Sequence, residues 1–183
     1  MSELRTLGAE VLVVARTLTS EVESIAAELT VAGDRERIAV EVDRRWGALD
    51  LLVNNAGMNI RKPWTQLDAT KQATVIGSNL PAPAELLRQL HPLLQRGQRP
   101  FGVHVASVIA SVDVGSGAAY ALRKAALLQL TRSLAVEWAV DVIRVNAETP
   151  LSPIGEARPT ALYLEIGETW ESPCDLVGMG CSW

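Results

Sequence analysis

Apolar residues in this chain fall into two patterns that alternate along its length. Short unbroken runs, Val11-Leu12-Val13-Val14-Ala15, Leu51-Leu52-Val53 after Asp50, and Val103 to Ser107, read as buried strands of a parallel sheet. Between them lie stretches with helical spacing. Glu3 to Leu7 resembles the last turns of a helix closed by Gly8. Asp34 is placed to cap a helix over Arg35 to Trp46, with Ile38, Ala39, Val42 and Trp46 on one side and Gly47 as its stop. Asp68 to Arg96 reads as two helices with Asn79 between them, and a long helix opens near Ala118. Strands alternating with helices predict an α/β fold.

Two segments resist this scheme. Over Thr19 to Thr30, Ser20-Glu21-Val22-Glu23 has the form of a capping box, and Val22, Ile25, Ala26 and Leu29 keep helical spacing. A helix is the preferred reading. The alternative is a short strand from Ile25 ending near Glu28, which follows the previous strand too closely for an ordinary parallel crossover. The final stretch, Thr160 to Trp183, sets Tyr163, Trp170 and Trp183 among glycines and cysteines without a period, and is expected to be irregular.

A chain of 183 residues, 48% hydrophobic, is long enough for one domain with a sizeable core. Net charge −4 offers no electrostatic case for nucleic acid or an anionic membrane. The start lacks the basic and apolar regions of a signal peptide, and no apolar run reaches membrane-spanning length. Cytoplasmic residence is therefore expected. Cys174 and Cys181 are not spaced as zinc ligands, and His91 and His104 have no metal-ligand company, so no metal is expected.

The candidate chemistry lies between Phe101 and Trp138. Tyr120 and Lys124 are four residues apart, on one helical face, and Ser107 precedes Tyr120 by thirteen. Ser107 ends a strand, where open α/β sheets bind ligands. A free tyrosine ionises near about pH 10, and a neighbouring ammonium favours its phenolate, so Tyr120 is suited to exchange a proton with a carbonyl that Ser107 also holds. An ordinary helix pair beside a strand end is the plainer alternative. Asn54-Asn55-Ala56-Gly57, directly after a strand, makes either a turn that admits a flat ligand or a simple Asx turn. Arg16, just past its strand, is either a ribose or phosphate contact or a solvated end. Asn79, between two helical runs, is placed as a helix N-cap.

Taken together, Leu51-Leu52-Val53-Asn54-Asn55-Ala56-Gly57, Ser107, Tyr120, Lys124 and Arg144-Val145-Asn146-Ala147 resemble the short-chain dehydrogenase/reductase family, over roughly Leu4 to Pro150. Gly57 to Pro63 and Leu134 to Ala139 are similar to its tropinone-reductase-like branch. The resemblance implies a three-layer Rossmann-like parallel sheet with helices on both faces. The sheet is incomplete here, because the first strand and its glycine-rich turn are missing. Residues 1–150 would form this partial domain and 151–183 a divergent tail. Pro150 is followed by Leu151 where the family has a glycine, and Ser152 to Glu156 resembles a later family segment.

The resemblance further implies an NAD(P)-dependent oxidoreductase that interconverts a carbonyl and a secondary alcohol. Tyr120 would be the general acid/base, Lys124 its tuner and a ribose contact, Ser107 the carbonyl-binding hydroxyl and Asn79 the holder of a relay water. Arg16, Asn54, Ala56 and Gly57 would join Tyr120 and Lys124 in binding NAD or NADP. The long helices would build a homo-oligomer. The alternative is a shortened, catalytically impaired relative that acts through association with other subunits. A sheet lacking its first strand would also have a gap at its centre, to be closed by its neighbours or left exposed.

Overall fold

The computed structural model describes residues 2–18, 22–57, 60, 62–112, 117–149 and 162–166. A short helix, α1 (Ser2–Thr6), turns through Gly8 at φ 91° into β1 (Glu10–Ala15). Then come β2 (Ser24–Ala26), α2 (Ala32–Trp46), β3 (Leu51–Asn54), α3 (Ala69–Asn79) and α4 (Pro81–Leu94). The chain continues through β4 (Phe101–Val105), α5 (Ala118–Glu137), β5 (Arg144–Glu148) and β6 (Leu162–Ile166). The strands form a 6-stranded sheet in the order β2-β1-β6-β3-β4-β5. The α/β, Rossmann-like expectation holds.

Alternation along the strands divides the core between two faces. Leu12, Val14, Leu52 and Val145 point to the face covered by α2 and α4, where Ile38, Val42, Leu86, Leu90 and Leu94 complete the main cluster. Val11 and Val13 point the other way and meet Leu4 of α1. Leu51, Phe101 and Val103 form a second group on that face. The stripe on α2 is thus buried as its spacing predicts, and Gly47 ends the helix in the left-handed region at φ 65°.

Three local expectations are corrected. The segment expected as a helix over Thr19 to Thr30 contains strand β2, parallel to β1; Thr19, Ser20 and Glu21 lie outside the described residues. A helix of so few residues is marginal on its own, whereas pairing satisfies the outer edge of β1. The short connection suffices because β2 pairs only with Val13 to Ala15, so residues 16–23 must climb back about 10 Å rather than a full strand length. Second, α2 starts at Ala32 with Val31 as its cap, and Asp34 lies in the first turn. Its carboxylate accepts instead from the Glu28 backbone N–H at 2.7 Å and from Arg37 at 2.9 Å. Third, Asn79 closes α3, and the residue capping α4 is Leu80, followed by Pro81 in a position where a helix has no N–H to lose.

The largest departure concerns the tail and the gap expected at the centre of the sheet. Leu162–Ile166 forms a strand that fills that gap, pairing antiparallel with β1 on one side and β3 on the other. All the other pairings are parallel. The physical reason is the demand of the flanking strands. Leu12, Val13, Val14 and Leu52 are at most 2% exposed, so their inner-edge backbone groups need a partner other than water. Such a demand is non-local and leaves no period in the tail sequence. Pro150, Leu151, Ser152 to Glu156, Trp170, Cys174, Cys181 and Trp183 lie outside the described residues.

Candidate active site

The parallel strands bring their carboxyl ends to one edge of the sheet. β4 finishes there at Val105, and Ser107 follows in extended conformation, capping a short 3-10 turn over Val108–Ala110. Its Oγ accepts from the Ile109 N–H at 3.5 Å, a long bond that leaves the hydroxyl free to donate. Helix α5 packs against this turn and against β5. Gly117, at φ 101°, precedes α5 and delivers Tyr120 and Lys124 in its first two turns.

Lys124 reaches back to the strand: its Nζ donates to the Val105 carbonyl and lies 5.8 Å from the Tyr120 ring centre. Ser107, Tyr120 and Lys124 are thereby gathered at the carboxyl end of β4. Burial, followed by the neighbouring Arg123 guanidinium, pushes the Lys124 ammonium down to about 7. A lysine so placed exists in both forms near neutrality, which suits proton traffic.

Two residues set aside or passed over in the sequence belong to this neighbourhood. Arg123 stacks on Tyr120, its guanidinium carbon 4.0 Å from the ring centre, and is 2% exposed with its Nε unpartnered. Burial lowers its pKa to about 10, while Tyr120 acts in the opposite direction. No ion pair among the described residues involves Arg123 or Lys124. The three-residue spacing from Tyr120 was the available signal for Arg123.

His104 lies beneath the site, fully buried on β4, with Nδ1 2.8 Å from the Thr131 hydroxyl. That hydroxyl donates its single proton to the Leu127 carbonyl at 2.8 Å. Nδ1 must therefore carry the imidazole proton, and Nε2, which has no partner, presents a lone pair. Burial, reinforced by the Lys124 charge, drives the His104 pKa down to about 4.

The remaining candidates are more dispersed. Asn54 sits opposite His104 in the β3–β4 register and is 3% exposed. Its amide nitrogen donates to the Pro83 carbonyl at 3.5 Å and its Oδ1 has no partner, so it ties the end of β3 to α4. Ala56 and Gly57 are half-buried just beyond, with Ala56 packed on the main core. Asn79 ends α3, which packs on α5; its side chain lies outside the described residues. Arg16 is exposed after β1, on the far side of β6 from the Tyr120 group.

Fit to a dinucleotide divides along the same line. Ser107, Tyr120 and Lys124 lie at the carboxyl end of β4, and the half-buried Ala56 and Gly57 lie just past that of β3. A pyrophosphate needs a strand that turns at this edge into a helix N-terminus. At the centre of the sheet β6 runs in the opposite direction and supplies no such turn.

Comparison with known proteins gives a consistent result. Residues 4–154 match a family profile described as enoyl-(acyl carrier protein) reductase. A tropinone reductase homolog of Arabidopsis thaliana is 36% identical over 130 residues, 70% of this chain and 49% of that relative. The chain thus spans about half the length of that relative. A structure from Sinorhizobium meliloti described as a short-chain alcohol dehydrogenase superposes with TM-score 0.65 at 27% identity, over 70% of this chain and 51% of the other. Ligand-free aldohexose dehydrogenase of Thermoplasma acidophilum superposes with TM-score 0.71 over 75% of this chain and 54% of its own, at 24% identity, a likeness of fold.

Proposed function

This chain belongs to the short-chain dehydrogenase/reductase family, and from that membership we propose that it is an oxidoreductase interconverting a carbonyl and a secondary alcohol. Family members generally bind NAD or NADP. The observation that carries the reading is the convergence of Ser107, Tyr120 and Lys124 at the carboxyl end of β4.

A bound nicotinamide supplies or receives the hydride. The chain's own residues handle the oxygen and its proton. In reduction, Tyr120 Oη gives its proton to the carbonyl oxygen, and Ser107 Oγ donates a hydrogen bond to the same atom. Lys124, near its own half-protonation at neutrality, stabilises the negative charge left on Tyr120 and then helps to return the proton. Asn79 holds the water through which that proton comes. Asn54 fixes the end of β3, so that Ala56 and Gly57 present backbone to the nicotinamide ribose. Arg16, exposed past β1 on the far side of β6 from this group, takes no part in holding the nicotinamide end.

The substrate of this reading is a small carbonyl or alcohol, handled in the cytoplasm by a homo-oligomer assembled through the long helices. Among the described residues no helix is long and apolar enough to cross a membrane. Exposed Leu122 and Val136 on α5 support the assembly. Strand β6 favours a second reading, a catalytically impaired relative that acts through association with other subunits, because it stands where a pyrophosphate-binding turn would begin.

Thermal stabilisation by NADH and NADPH separates the two. The oxidoreductase reading expects the melting temperature to rise at millimolar cofactor, since selective binding to the folded state adds RT ln(1 + [L]/Kd). No rise with either cofactor would remove it.

A further inference from the structure

Strand β6 stands at the place in the sheet where chain order reverses. Leaving it aside, the strands run 2-1 on one side and 3-4-5 on the other, so the reversal falls between β1 and β3, where β6 lies. In open α/β sheets ligands bind outside the carboxyl ends at this reversal, and a pyrophosphate is held where a strand gives way to a helix whose first N–H groups are free. Here Leu162 is level with Val14 and Ile166 with Glu10. β6 therefore enters at the carboxyl edge and leaves at the opposite one. The first residue of β6, Leu162, thus stands at the edge from which the phosphate-binding turn would depart.

The flanking strands do not replace it. β1 passes through exposed Arg16 toward β2, and residues 22–31, on either side of that strand, contain no helix. β3 passes into Asn54 to Gly57, and α3 does not open until Ala69. At the end of β4, meanwhile, Lys124 is bound to the Val105 carbonyl and lies 5.8 Å from the Tyr120 ring centre, with Ser107 just past the strand. Among the described residues the recognition surface is thus the ends of two adjacent strands, β3 and β4, about 5 Å apart.

Resting on the oxidoreductase reading, we infer that this chain recognises only the nicotinamide nucleoside end of its cofactor. The remainder of a dinucleotide adds no binding. The ligand class is a single nicotinamide nucleoside or nucleotide.

Dissociation constants of the 183-residue chain for NADH, reduced nicotinamide mononucleotide and ADP-ribose, taken by titration calorimetry, decide the matter. The mononucleotide and NADH are expected to bind within about threefold of one another, a difference below the free energy of one charge-assisted hydrogen bond. ADP-ribose is expected to give no binding heat and no thermal stabilisation at the same concentrations. NADH binding more than about threefold tighter than the mononucleotide, or measurable binding of ADP-ribose, overturns the inference and leaves the oxidoreductase reading standing. Absence of binding by both nicotinamide compounds overturns the two together.

Discussion

Replacing His104 by Phe should remove an acid-sensitive component of stability. The imidazole is fully buried, protonated on Nδ1 toward Thr131, and its pKa is held down to about 4 by burial and by Lys124. In the unfolded chain the same group titrates near about 6.5. Because the folded value is the lower one, the neutral histidine favours the native state above the unfolded pKa. That contribution is lost as pH falls from about 6.5 toward about 4, where the unfolded chain binds a proton that the folded chain refuses. At about 1.36 kcal/mol per pH unit per proton, the loss between about pH 7 and about pH 4.5 comes to about 2.5 kcal/mol. Phenylalanine fills the site of the ring and leaves the Thr131 hydroxyl donating to Leu127, so no donor is stranded. Urea unfolding followed by tryptophan fluorescence, at a series of pH values for both proteins, measures the difference. Carboxylates common to both cancel. The wild type should lose about 2.5 kcal/mol more than the variant over that range. Parallel curves would refute the buried neutral imidazole.

Val142→Gly should stabilise the fold. Among the described residues Val142 is the one non-glycine residue with positive φ, at 60°, and it is 77% exposed, so removal of its side chain sacrifices little burial. Relief of left-handed strain, offset by glycine's entropy, should give about 1 kcal/mol and a melting temperature about 2–4 °C higher; an unchanged or lower value contradicts the strain. Leu164→Pro removes an N–H from the middle of β6, level with Leu12 and Leu52, and should cost about 1–3 kcal/mol in chemical denaturation. A neutral result would mean that β6 is not held between β1 and β3. Lys62, Lys71 and Lys124 are the chain's lysines, and NMR titration of their side chains should show one signal moving near pH 7, absent from Lys124→Met. If no signal near pH 7 is lost in Lys124→Met, Lys124 is not buried as described.

Much of the fold could be read locally. The unbroken apolar runs of β1, β3 and β4 and the stripe of α2 each carry their signal within a few residues, and each has an element behind it. β2 and β6 do not. Val22, Ile25 and Leu29 satisfy a helical period, but the edge of β1 decides in favour of a strand. Leu162 to Ile166 is a strand because β1 and β3 have facing edges to fill, a requirement set by residues more than a hundred positions away. The site divides in the same way. Tyr120 and Lys124 are visible by spacing, and Arg123 could have been found by that logic. The protonation of His104 depends on Thr131, which only the packing of α5 on β4 brings near.

The central claim, that Tyr120 delivers the proton when this chain reduces a carbonyl, is tested most directly by deuteride transfer. The chain would be incubated with NADH or NADPH deuterated at the nicotinamide C4 and a panel of small ketones at saturating cofactor. Product alcohols would be analysed by mass spectrometry beside those from Tyr120→Phe. The account predicts a deuterium-labelled secondary alcohol from the wild type. It predicts a loss of at least about 100-fold in the phenylalanine variant, the usual scale of a general acid. Labelled alcohol formed equally well by Tyr120→Phe, or none formed by the wild type, would contradict it.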